Sequence, residues 1–145
     1  MKRGQISFDL VLAVTIMLIF MLSLANFRDE FTKDQEELSI RAQQKQIGSA
    51  IVKLLANEKK ISGFGHVISY NIPKISVLGS NPIECGLNAV LPNTITITVD
   101  SSHYQKLAAA GTTIKTNVYS VVPITSSIVT DISSAKCGGE LTLSS

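Results

Sequence analysis

Two groups of residues in this chain have the types and spacing that chemistry needs. The first is Gly4-Gln5-Ile6-Ser7-Phe8-Asp9, preceded by Lys2-Arg3 and followed by an almost unbroken apolar run over residues 10–25. An unpaired charge in hydrocarbon costs about 2.5–3.5 kcal/mol on insertion scales, so Asp9 calls for a partner or an interfacial position. In the simpler case it is an interfacial carboxylate stabilised by the positive end of the helix dipole. The second group is Cys85 and Cys137, the only cysteines of the chain. Outside the cytoplasm an even pair is expected to form a disulfide, and the alternative is two buried free thiols. A bridge closing a loop of this length would contribute roughly 4 kcal/mol in the chain-entropy description.

Other chemistry finds no support in the residues. There is no Ser-centred elbow and no Gly-rich phosphate loop, and Glu84, Asp100, Asp131 and Glu140 are scattered along the sequence. His66 and His103 lie at no ligand spacing to either cysteine, so neither a metal nor another cofactor is expected, and the chain does not read as an enzyme. The formal charge is +2, and both excess cations are Lys2 and Arg3. The remainder is balanced and offers no basic face for nucleic acid, which is excluded as a partner. No Asn is followed two positions later by Ser or Thr, so no N-glycosylation site is present.

The opening block resembles the class III signal peptides of archaeal type IV pilin-like proteins. In that family a short basic leader ends in Gly, prepilin peptidase cuts before Gln, and the mature chain begins Gln-X-Ser-X-Glu ahead of the apolar helix. The resemblance implies a leader over 1–4 and a cleavage motif of Gly4, Gln5, Ser7 and Asp9. Asp stands where the family has Glu, and Ala13, beside Leu12, stands where the pattern has Leu. It further implies a structural subunit of a cell-surface filament or its assembly machinery, with Gln5 and Asp9 docking neighbouring subunits. The partners would be the peptidase, membrane lipid and other pilin subunits. Charges begin at Arg28, and burying that face unpaired in a filament core would be expensive. A minor pilin or pseudopilin therefore fits better than the main shaft subunit. The same residues also parse as a conventional secretory signal ending at Ser23-Leu24-Ala25. A third possibility is a permanent anchor for an extracytoplasmic binding or stator-like protein.

The elements that must position these residues follow from periodicity. Residues 5–27 are expected to form a transmembrane or filament-core helix; about 33 Å of helix matches a bilayer core. Lys2 and Arg3 favour an N-terminus inside, which places the chain beyond residue 28 outside the cytoplasm. Residues 28–60 hold more than half of all charges and no Pro. Phe27, Phe31, Leu38, Ala42, Ile47, Ile51, Leu54 and Leu55 predict one amphipathic face, with a weak point or bend at Gly48. Glu37 and Arg41 form an i,i+4 pair. The two segments are expected to make a single helix.

Residues 61–145 read as a small antiparallel β domain of about five to seven strands, giving an α+β fold, which the resemblance implies to be pilin-like. The clearest strand is 94–99, with Ile95, Ile97 and Val99 inward. Runs 114–122 and 124–132 are expected strands divided by Pro123. Weaker candidates are 67–72, 75–78 and 140–143, and a short helix over 102–110 opens at a Ser102 capping box.

Overall fold

The computed structural model describes residues 3–61, 67–77, 81–99 and 113–144, with side chains beginning at Phe8. It shows an α+β chain: a long N-terminal helix followed by a small antiparallel β domain. Helix α1 spans Arg3–Ile61. The strands are β1 (Val67–Asn71), β2 (Cys85–Val90), β3 (Thr94–Val99), β4 (Ile114–Tyr119) and β5 (Glu140–Ser144). A second helix, α2, covers Ser126–Ser134. The chain forms two compact units, Met1–Gln35 and Glu36–Ser145.

In the second unit, β2, β3 and β4 form an antiparallel sheet in the order β2-β3-β4, and β1 pairs with β5 in a separate two-stranded sheet. Leu87, Ile97 and Thr116 are cross-strand partners, as are Cys85, Val99 and Ile114, so each set shares one sheet face. That face meets Ile40, Gln44, Ile47, Ile51 and Leu55 of α1, all buried and spaced by three or four residues. The expected stripe holds at Ile47, Ile51 and Leu55, but Leu54 is only half-buried and Phe27, Phe31, Leu38 and Ala42 are exposed. Ala42 and Ile47 are five residues apart, which turns the helix by about 140°, so they cannot share a face. The buried stripe instead continues back through Gln44 and Ile40.

Gly48 does not end the helix. Its place is explained by packing, because a Cβ there would collide with the Val118 side chain of β4. The missing methyl lets α1 approach the sheet closely, and this outweighs the helix-propensity cost.

Three expectations about the β domain change. The run 124–132 is not a strand but enters α2: Ile124, Ile128 and Ile132 recur every four residues and are buried, a period that suits a helix rather than an alternating strand. The strand expected over 114–122 stops at Tyr119, where Ser120 turns inward and donates its backbone N–H to the Asn93 carbonyl at 2.7 Å. In the expected 75–78 strand only a single bridge, Ile75 to Ile83, forms among the described residues. The helix expected over 102–110 lies outside the described residues, as do His66 and His103. Strand β2 is an addition; its Gly86 and Asn88 have low β propensity, yet its burial alternates strictly. The Leu91–Pro92 bond in the turn after it is cis.

Stability should follow these contacts. Ile97 is fully buried, so Ile97→Ala is expected to cost about 2–5 kcal/mol in chemical denaturation. Gly48→Ala should destabilise despite Ala's better helix propensity, and adding Val118→Ala should recover much of the loss. A double-mutant denaturation cycle would measure that coupling.

Candidate functional site

The residues singled out by sequence fall into two places. Gly4, Gln5, Ser7 and Asp9 all lie on α1, and Asp9 is exposed. No ion pair reaches Asp9 among the described residues. From Phe8 to Phe31 every residue is exposed, including Leu10, Val11, Leu12, Ile16, Phe20 and Leu24. An 18-residue stretch here reaches a mean hydropathy of 2.5 with none of it buried, so one helix near the N-terminus is long and apolar enough to cross a membrane. Its few hydroxyls are satisfied internally: Thr15 Oγ1 donates to the Val11 carbonyl at 2.8 Å and Ser23 Oγ to the Ile19 carbonyl at 3.0 Å. In an apolar medium, where water cannot compensate a lone hydroxyl, this back-bonding removes a cost. The rings of Phe27 and Phe31 stack at 6.3 Å, one helical turn apart.

Cys85 and Cys137 form a disulfide, with Cα atoms 5.2 Å apart. Backbone pairing brings them together: Gly86 bridges to Lys136, and the Cys137 N–H donates to the Cys85 carbonyl at 3.2 Å. The bond therefore ties the segment after α2 to the outer edge of β2. A cleft of about 230 Å³ beside it is lined by Glu84, Cys85, Gly86, Thr98 and Lys136. Among the described residues, no cluster of three or more His, Cys, Asp or Glu is placed to hold a metal ion.

Sequence reasoning missed a set of polar residues on α1 that hold the backbone of the β domain. Gln44 is fully buried: its Nε2 donates to the carbonyls of Ile97 (3.1 Å) and Ile114 (3.0 Å), and its Oε1 accepts from Thr116 Oγ1 at 2.7 Å. Gln43 makes a two-way contact with Ser76, donating to its carbonyl at 2.7 Å and accepting from its N–H at 3.0 Å. Arg41, paired to Glu37 at 2.7 Å, also donates to the Lys115 carbonyl at 3.3 Å. The signal available was positional: Gln44 sits four residues after Ile40 and three before Ile47, inside an apolar stripe. A polar residue in such a stripe needs a partner in the core.

No known family, curated protein or solved structure matches this chain. The residues themselves therefore carry the functional argument.

Two outcomes follow from this geometry. Gln44→Leu leaves the Thr116 hydroxyl without its acceptor and should cost about 1–3 kcal/mol, while Gln44→Leu with Thr116→Val should be milder than Gln44→Leu alone; thermal denaturation reads both. Reduction should lower the melting temperature of the β domain, and thiol labelling of unreduced, denatured protein should find no free cysteine.

Proposed function

We propose that this chain is a structural, pilin-like subunit, a minor pilin or pseudopilin, of an archaeal cell-surface filament or its assembly machinery. The observation that carries this reading is the block Gly4-Gln5-Ile6-Ser7-Phe8-Asp9 leading without a break into an apolar helical segment exposed on every side. A helix that buries nothing against its own chain must be covered by lipid or by other helices, and a filament subunit uses both in turn. Prepilin peptidase removes residues 1–4, and Gln5 becomes the mature N-terminus. The apolar segment waits in the bilayer and then leaves it to pack among neighbouring helices. Lys2 and Arg3 hold the N-terminus inside, so the β domain is outside the cytoplasm. The disulfide supports that side, since such bonds persist in oxidising surroundings.

Asp9 gives the assembly step its direction. Exposed on the lone subunit, its carboxylate is costly in an apolar filament core unless a neighbour supplies a donor. The amino end of an adjacent mature chain is that donor. If Gln5 cyclises to a lactam, the contact becomes a charge-assisted N–H to carboxylate hydrogen bond in place of an ion pair.

Intact mass and N-terminal sequencing of protein from membranes test the maturation. Gln5 or its cyclised form is expected; Met1 would mean a permanently anchored binding protein, and Asn26 a secreted one. Gly4→Val should accumulate the unprocessed form. Asp9→Ala should insert normally but fail to enter filaments, while Asp9→Glu should retain assembly. Normal assembly of a processed Asp9→Ala protein would remove the docking role and leave the cleavage assignment intact.

A further inference from the structure

The three-stranded sheet has an outer face, turned away from Ile95, Ile97 and Val99, and its side chains are sorted into rows. In the first row Gly86 pairs with Thr98 and Thr98 with Lys115, and the bridge from Gly86 to Lys136 extends it past the β2 edge. Paired residues share a face, so two lysines flank a glycine and a threonine. The cleft beside the disulfide opens here, lined by Gly86, Thr98, Lys136 and Glu84. A Cβ at Gly86 would meet nothing within 4 Å, so the trough between the lysines is open. The second row is Asn88, Thr96 and Asn117. Thr96 Oγ1 donates to Asn117 Oδ1 at 3.0 Å, and Ser133 Oγ to Asn88 Oδ1 at 3.2 Å. Both amide oxygens are engaged within the fold, while both exposed side chains keep Nδ2 donors that find no partner among the described residues. In the third row Tyr119, 67% exposed, and Val90 stand on either side of Thr94.

This order of groups does not suit the commoner partners. A protein interface has an apolar centre and a polar rim, whereas here the centre is polar and the aromatic ring lies at one end. An extended peptide pairs with a strand edge rather than a sheet face. Nucleic acid carries a phosphate about every 3.4 Å of a strand. Lys136 and Lys115 stand about 14 Å apart, three strand spacings, with Glu84 beside the cleft. Arg41, at the β4 edge, is already paired to Glu37. The groups fit instead a ligand rich in hydroxyls, with a flat C–H side and a carboxylate. Amide N–H groups donate to hydroxyl oxygens, and a lysine makes a charge-assisted bond to the carboxylate. The electron-rich face of the Tyr119 ring receives the C–H side.

We infer that the outer face of this sheet binds an acidic oligosaccharide, with a carboxylate at the lysine row, hydroxyls on Asn88 and Asn117, and a sugar ring on Tyr119. From Gly86 to Val90 the face runs about 13 Å along β2, the scale of a short oligosaccharide. It belongs to the β domain alone and is independent of how the N-terminus matures.

The experiment uses the full chain purified from membranes and reconstituted in phosphatidylcholine nanodiscs, which carry no sugar. Fluorescein-labelled trigalacturonate and a labelled hyaluronan tetrasaccharide are each titrated with it, and anisotropy is read. Saturable binding of at least one is expected, displaced by the unlabelled sugar and not by an oligoglutamate of equal charge. Tyr119→Ala and Lys136→Ala should each weaken it about tenfold. Gly86→Tyr fills the trough and should abolish binding at unchanged melting temperature, because its Cβ has open space. Should that variant unfold, Tyr119→Ala, at an exposed side chain, still decides the question. Glu140→Gln, at an exposed position on the other sheet, should bind as the unaltered chain does. No saturable binding of either sugar, equal displacement by oligoglutamate, or indifference to Tyr119→Ala would overturn the inference.

Discussion

The β domain depends on a single contact, the seating of the second half of α1 on the three-stranded sheet. Ile40, Ile47, Ile51 and Leu55 supply the apolar area, but apolar area alone tolerates sliding by a turn. Gln44 removes that freedom. Fully buried, it satisfies two main-chain carbonyls and one threonine hydroxyl. Moving α1 by one turn would break these three hydrogen bonds and leave the buried Gln44 amide without partners, a cost of about 1–3 kcal/mol. Gly48 lets the same face come close to Val118. Next to Gln44, Gln43 holds the Ser76 segment, so adjacent residues fix two different stretches of chain.

From there the fold closes its open edge. The outer side of β2 would present unpaired N–H and C=O groups, a template for unwanted strand pairing. Helix α2 and the residues after it cover this edge. The Ala89 N–H donates to Ser133 Oγ at 3.3 Å, Gly86 bridges Lys136, and Cys137 returns its N–H to the Cys85 carbonyl. The disulfide thus locks a pairing that backbone hydrogen bonds already define. Gly138, at φ 81°, then turns the chain into β5, donating its N–H to the Ile72 carbonyl at 2.8 Å. A side chain at that position would be strained and would meet Lys74.

The first unit obeys a different constraint. The hydroxyls of Thr15, Ser23 and Thr32 bond back to carbonyls of the same helix, while the apolar side chains from Phe8 to Phe31 have no cover from the chain itself. This combination suits a medium without water, and that is why its partners, lipid and other helices, define the role proposed for it. The β domain does the opposite and fills its own core, with Ile95, Ile97, Val99, Ile132, Leu141 and Leu143 buried.

Local pattern was enough to read much of this from the sequence. The apolar run, the absence of Pro from the first 60 residues, the strict alternation at 94–99 and the even pair of cysteines determined the long helix, the central strand and the bridge. These are signals that each element carries alone. Which apolar face of α1 is buried was decided only in three dimensions, because Leu38 and Ala42 are as apolar as residues that do pack and simply point elsewhere. The same holds for 124–132: its β-branched residues favour a strand, but burial of Ile128 and Ile132 at a spacing of four, beside the open edge of β2, rewards a helix. Strand β2 was hidden by Gly86 and Asn88, whose poor propensity is overridden by pairing with β3. Gln44 was the least legible, since a glutamine on a charged helix looks like surface until the carbonyls of β3 and β4 arrive to receive it. The sequence by itself determined the long N-terminal helix, its apolar run and the central strand; the tertiary structure decided which faces meet and that 126–134 is helical, because those choices belong to partners distant in the chain.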